Sequence, residues 1–215
     1  MNAQTQRRSV SGPAGALECA IDEPEQAPRA LLVVCHPHPL HGGTLDNKVV
    51  QTVARAGVHL GCRSVRFNFR GVGASAGVWD GGAGEVDDAL AVVGAFRCGA
   101  AEPALPLWLA GFSFGGFVAA SVAARLAAGA QTERPVRLAL IAPSTLTQSL
   151  PQVPADTLVV HGEADDVVPL AATLDWARPQ GLAVTVVPGA GHFFHGQLVL
   201  LKALLVRAWS VPLAA

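Results

Sequence analysis

Gly111-Phe112-Ser113-Phe114-Gly115-Gly116 stands between an apolar, strand-like stretch, Leu105–Ala110, and an Ala-rich run, Phe117–Leu126, that contains neither Gly nor Pro. That order predicts a strand, a very tight turn and then a buried helix. A serine at such a turn has a chemical use. The sharp bend lifts its hydroxyl clear of the backbone at the carboxyl edge of a sheet. The helix N-terminus behind it offers unpaired N–H groups to a developing oxyanion. Gly111 and Gly115 suit places where backbone elements approach too closely for a Cβ.

The same Gly-x-Ser-x-Gly spacing recurs at Gly73-Ala74-Ser75-Ala76-Gly77. Chance supplies only about 0.1 such matches in a chain of this length and glycine content, but two copies mean that the pattern alone does not choose. Context does. Ser75 follows the strand-like Arg63–Phe69 by several residues, and Val78–Gly82 after it starts no helix. Only Ser113 lies between a strand and an immediate helix. Ser113 is therefore the candidate nucleophile and Ser75 a loop serine.

Outward from this turn, strand and helix signals alternate. Leu17–Ile21 reads as a strand. Ala30–Cys35 is a continuous apolar run of strand length, as in a parallel strand covered on both faces. Asn47–Leu60 reads as a helix with Asn47 as its cap and Gly61 past its end. The strand Arg63–Phe69, the loop Gly71–Gly84 and a helix over Glu85–Cys98 follow. After the nucleophile helix come strands at Val136–Ala142 and Thr157–His161, a helix at Leu170–Ala177, a strand at Leu182–Val187 and a last helix at Phe194–Trp209. Such alternation with short loops predicts an α/β fold, a mostly parallel sheet wrapped on both faces. Residues 1–16, polar and containing Gly and Pro, are expected to be a flexible start, with 17–215 forming one domain.

Composition narrows the function. The chain has 215 residues, 51% of them hydrophobic, and a formal net charge of −1. That balance gives no electrostatic case for nucleic acid or an anionic membrane. No apolar run reaches about 18 residues without a Gly, Pro or charge, so no membrane span is expected. Met1–Val10 carries Arg7 and Arg8 without an apolar core, so no secretory signal is expected. Cys19, Cys35, Cys62 and Cys98 show no ligand spacing and read as buried free thiols of a cytoplasmic protein.

A serine hydroxyl needs a base, and the base needs an orienting carboxylate. His192, in the loop that leaves the last strand, is the candidate base, with His195 its competitor. Asp165 and Asp166, in the loop after Thr157–His161, are both candidate acids, and Glu163 is a distant third. The order serine, acid, histidine suits a sheet of this kind. An oxyanion hole needs a second N–H beside that of Phe114. Pro37 and Pro39 have none to give, so the His38 N–H is the expected donor, with Leu40 in reserve. His36, His38 and His41 invite a metal reading, but the spacing is loose and only Asp46 is near, so no metal and no cofactor are expected. Arg70 is expected to pair with a loop carboxylate. Gly71–Gly77 lacks the lysine and the helix of a phosphate loop.

These residues together resemble the α/β-hydrolase superfamily, and within it small bacterial hydrolases distantly related to dienelactone hydrolases. The resemblance rests on His36-Pro37-His38-Pro39 with Gly42-Gly43 and Asp46-Asn47-Lys48. It extends over Arg66–Gly77, Gly111–Gly116, His161–Pro169 and His192–Gly196. It implies an acid motif on Gly162, Asp165 and Pro169, which favours Asp165 over Asp166. Dienelactone hydrolases use a cysteine nucleophile, so Ser113 argues against their substrates. Many lipases of the superfamily carry a lid after the sixth strand, whereas only Pro143–Asp156 is available here, too short for one. The expectation is a serine hydrolase of small carboxylic esters or thioesters, with an open site lined by Leu40, Trp79 and Phe193, acting as a monomer or small homo-oligomer. The rival is a non-catalytic protein of this fold that binds a ligand or partner.

Overall fold

The continuous apolar run at residues 30–35 forms β3 (Ala30–Cys35), buried at every position. Leu31, Val33 and Cys35 face one core, and Ala30, Leu32 and Val34 face the other. A strand with two apolar faces has to lie inside a sheet covered on both sides, and the rest of the chain supplies that sheet. The computed structural model describes residues 5–97, 104–129 and 134–211.

Around β3 the strands are β1 (Gln6–Gly12), β2 (Gly15–Asp22), β4 (Cys62–Phe67), β5 (Leu107–Phe112), β6 (Arg137–Ile141), β7 (Leu158–Gly162) and β8 (Val184–Val187). They lie side by side in the order β1-β2-β4-β3-β5-β6-β7-β8. Every pair from β4 across to β8 is parallel, and β1-β2 and β2-β4 are antiparallel. The helices are α1 (Lys48–His59), α2 (Ala83–Arg97), α3 (Phe114–Ala127), α4 (Leu170–Ala177) and α5 (Leu198–Ser210). The buried side chains of α2 and α3 belong to one core and those of α1 and α5 to the other. Each fully buried Leu, Val or Phe in these layers contributes about 1.5–3 kcal/mol.

Local signals set the element ends. Asn47 caps α1, its side-chain oxygen accepting the Val49 N–H at 2.9 Å and the Val50 N–H at 3.4 Å. Between β6 and β7 the chain runs without a helix. Cys19, Cys35 and Cys62 are buried free thiols. Burial pushes Cys19 and Cys62 up to about 12 and raises Cys35 as well, so these thiols are unreactive. Cys98 lies outside the described residues.

Two expectations need correction. Residues 6–12 are not a loose start: β1 pairs with β2 from Gln6↔Ile21 to Gly12↔Gly15 as a hairpin closed by Pro13 and Ala14. Most of β1 is exposed, and beside the main-chain ladder it is held by Arg7 pairing with Glu18 and Asp46 and by Arg8 over Phe96, so its polar side chains give no burial pattern to read. The last helix begins at Leu198, not at Phe194. Phe194 and Gly196 have φ of 51° and 75°, a left-handed turn that delays it.

Candidate active site

Ser113 follows the last residue of β5 and precedes the first of α3, with φ 56° and ψ −119°. A non-glycine residue there carries strain of about 1–3 kcal/mol and needs support. Support comes from both sides. The Ser113 N–H donates to the Ile141 carbonyl at 2.9 Å, and the Ser113 carbonyl accepts from Gly116 at 2.9 Å and Ser144 at 3.1 Å. The flanking glycines are required by contact. A Cβ on Gly111 would lie 1.9 Å from the Gly115 carbonyl oxygen, and one on Gly115 would lie 2.2 Å from that of Cys35. The end of β3 therefore presses on the first turn of α3, which brings the His36–Gly43 loop beside Ser113.

His192 leaves β8 through Pro188-Gly189-Ala190-Gly191 and is buried. Its Nε2 is 3.0 Å from Ser113 Oγ and its Nδ1 is 2.8 Å from Asp165 Oδ2. A carboxylate only accepts, so Nδ1 carries the proton and Nε2 is free to take the serine proton. Burial works to raise the Asp165 pKa. The His192 hydrogen bond and the N–H groups of Val168 and Val167, 2.8 and 3.0 Å from Oδ1, outweigh it and hold the carboxyl below its ordinary value. Asp166 is exposed, and it is Asp165 that bonds His192. His195 is exposed and lies against Phe193, ring centroids 5.8 Å apart.

Two loops hold the acid and the base in register. The Glu163 N–H donates to the Val187 carbonyl at 3.0 Å, and the Ala164 N–H to that of Ala190 at 2.9 Å. Glu163, weighed as an acid, instead accepts the Gly189 N–H at 2.9 Å. It is a brace for the histidine loop.

On the other side of Ser113, among the described residues, the N–H groups of Phe114 and His38 make no backbone hydrogen bond. The Leu40 N–H is engaged by His38 Nδ1 at 3.2 Å, which removes it as a reserve donor. His36 is fully buried. Its Nε2 accepts the Phe69 N–H at 3.1 Å, so its Nδ1 carries the proton and donates to the Pro37 carbonyl at 2.6 Å. With both ring nitrogens used, His36 has none left for a metal. Among the described residues no three His, Cys, Asp or Glu are placed to hold one. Arg70 pairs in two-pronged fashion with Asp88 of α2 at 2.8 and 3.0 Å.

Comparison with known proteins identifies the family and the fold. Residues 26–149 match the family described as serine aminopeptidase, S33. XC6422 from Xanthomonas campestris, described as an α/β serine hydrolase without a lid, is 38% identical, with a TM-score of 0.86 over 100% of this chain and 99% of its own. The chain belongs to the α/β-hydrolase superfamily. An α/β serine hydrolase homologue from Coxiella burnetii is 41% identical, with a TM-score of 0.84 over 94% of this chain and 96% of that one. The uncharacterized protein RP471 of Rickettsia prowazekii is 31% identical over 195 residues, 86% of this chain and 80% of that protein.

Exposed apolar side chains stand on the loops that follow the strands of the hydrolase fold. Leu40, Val78, Leu146, Val167 and Phe193 are exposed on the loops around Ser113. Trp79, His38 and Phe114 form an aromatic cluster, with ring centroids 4.6–5.3 Å apart. Sequence reasoning missed Ser144, which supports Ser113 through a main-chain N–H and so leaves no side-chain signal. His161 has no role in the sequence reading, although a histidine four residues before the acid is a legible feature.

Proposed function

We propose that this hydrolase cleaves small, uncharged carboxylic esters or thioesters through an acyl-enzyme. The observation that carries the reading is the pair of His192 contacts, 3.0 Å to Ser113 Oγ and 2.8 Å to Asp165 Oδ2. Ser113 Oγ attacks the acyl carbon while its proton passes to His192 Nε2, and Asp165 stays ionised beside the imidazolium. The Phe114 and His38 N–H groups receive the tetrahedral oxyanion. His192 then returns the proton to the departing alkoxide or thiolate. Water, deprotonated by His192, cleaves the acyl-enzyme and restores Ser113. An apolar, lidless mouth supports small or exposed neutral esters over long-chain lipids, and Leu40, Trp79 and Phe193 would line it. Buried unreactive thiols support a cytoplasmic setting.

A fluorophosphonate probe tests the nucleophile. One rapid adduct mapped to Ser113 by peptide mass spectrometry, and lost in His192→Ala, is the expected result. Labelling at Ser75, or none, would move the non-catalytic binding reading to the front. Nitrophenyl esters of increasing acyl length and aminoacyl nitroanilides then decide between ester and amide cleavage. Turnover of short esters with weak amide cleavage is expected.

A further inference from the structure

The loop that carries Asp165 is held by a second histidine. His161, on β7, is fully buried, and its Nε2 is 2.8 Å from the Val168 carbonyl oxygen. A carbonyl only accepts, so Nε2 carries the proton. The same Nε2 stands 3.4 Å from Asp165 Oδ2, the oxygen that receives His192. In the uncharged ring Nδ1 is then a bare lone pair, and it is buried with no hydrogen-bond partner among the described residues.

An unanswered buried acceptor is destabilising, and an apolar side chain would avoid it. The same apolar side chain would leave the Val168 carbonyl without its donor, so the Nε2–H is what the position gains. That bond closes the loop from β7 to Val168. Asp165 Oδ1 already takes the N–H groups of Val167 and Val168. Residues 165–168 thus form one gripped turn, and His161 fastens it to the sheet.

We propose that His161 is a positioning residue that ties this turn to β7 and so keeps the Asp165 carboxylate against His192. The groups facing its ring are Asp165, His192 and the Val168 carbonyl. Burial lowers its pKa, and the carbonyl and Asp165 oppose this in part. An uncharged His161 leaves the Asp165 charge to the imidazolium that forms during turnover. The inference rests on the proposed roles of Ser113, His192 and Asp165.

Three variants of the full-length enzyme test it. The side-chain nitrogen of Gln reaches the place of Nε2, that of Asn the place of Nδ1, and Phe keeps only the ring. His161→Asn and His161→Phe are expected to lower kcat on the order of 10²-fold with KM nearly unchanged. The acid limb of kcat/KM should move to lower pH, because a loosened carboxylate supports the imidazolium less. His161→Gln should stay within a few-fold of the parent. The 2.8 Å bond to Val168 is the closer of the two contacts, so loosening of the turn sets the sign.

Equal activity in all three variants would overturn the proposal. So would losses that follow only the fraction of folded protein, with an unmoved pH profile. If Phe does not fold, the difference between Gln and Asn decides. Failure of the underlying mechanism reads differently, since Ser113→Ala would then retain turnover whatever the His161 variants do.

Discussion

The two Gly-x-Ser-x-Gly segments share a pattern and invert its use. Around Ser75 the glycines take the left-handed backbone, Gly73 at φ 56° and Gly77 at φ 86°, and the serine is ordinary. Around Ser113 the glycines are ordinary and the serine takes it, at φ 56°. Burial does not separate them, since both serines are 8% exposed. Their hydroxyls do. Ser75 Oγ donates to the Asn68 carbonyl at 2.7 Å and accepts the Glu18 N–H at 2.9 Å, so it is spent as a splice between β2 and the loop after β4. Ser113 Oγ faces a histidine nitrogen. Glycines that bend a loop serve structure. Glycines that let backbones touch, and so force a serine to bend, serve chemistry.

The largest break in this comparison is at the nucleophile. Ser113→Ala and Ser113→Gly are both expected to lower kcat about 10⁶-fold, read with a nitrophenyl ester. They should part in stability, because Gly accepts φ 56° freely and should be the more stable by about 1 kcal/mol, read as a higher melting temperature. Turnover preserved in Ser113→Ala but lost in Ser75→Ala would reverse the assignment.

Next comes the acid. Asp165→Asn should lower kcat about 10⁴-fold, since the amide favours the wrong His192 tautomer. Asp166→Asn, at an exposed neighbour, should leave kcat near the parent. The opposite ranking in steady-state assays would place the acid at Asp166.

These assignments were unevenly legible. Ser113 could be read because a strand, a turn and a helix meet at it in sequence, and His192 because small residues precede it after the last strand. Asp165 and Asp166 were separable only through the family motif, since loop direction is set by bonds such as Val167 and Val168 to Oδ1. β1 was missed because an exposed edge strand shows no apolar alternation. The bracing of Ser113 by Ser144, and of Gly189 by Glu163, arises where distant segments meet, and no local pattern records it.

His36 joins the two segments and makes a third test. Its carbonyl packs against Gly115, and its ring takes the Phe69 N–H just ahead of the Ser75 loop. Burial lowers its pKa from 6.5 to about 3, against the opposing hydrogen bond to Pro37. Between those values the unfolded chain binds a proton that the folded one refuses. Stability is therefore full above about 6.5 and falls as the pH drops towards 3, by up to about 1.4 kcal/mol per pH unit. His36→Gln should be less stable at neutral pH but show a flatter decline in melting temperature. An equal slope in both proteins would mean that other groups carry the acid sensitivity.

The smallest effect belongs to Ser75. Ser75→Ala removes a donor to the Asn68 carbonyl and an acceptor for the Glu18 N–H, leaving two main-chain groups short of a partner. The expected loss is about 1–3 kcal/mol, seen in denaturant unfolding as a lower midpoint with the same slope. Asn68 also holds the Leu45 N–H through its side chain, so the damage falls where the segment after β4 meets the start of α1. None of these bonds involves Ser113. Activity per folded molecule should therefore be unchanged, and a fall in kcat without loss of stability would show that the second motif reaches the chemistry after all.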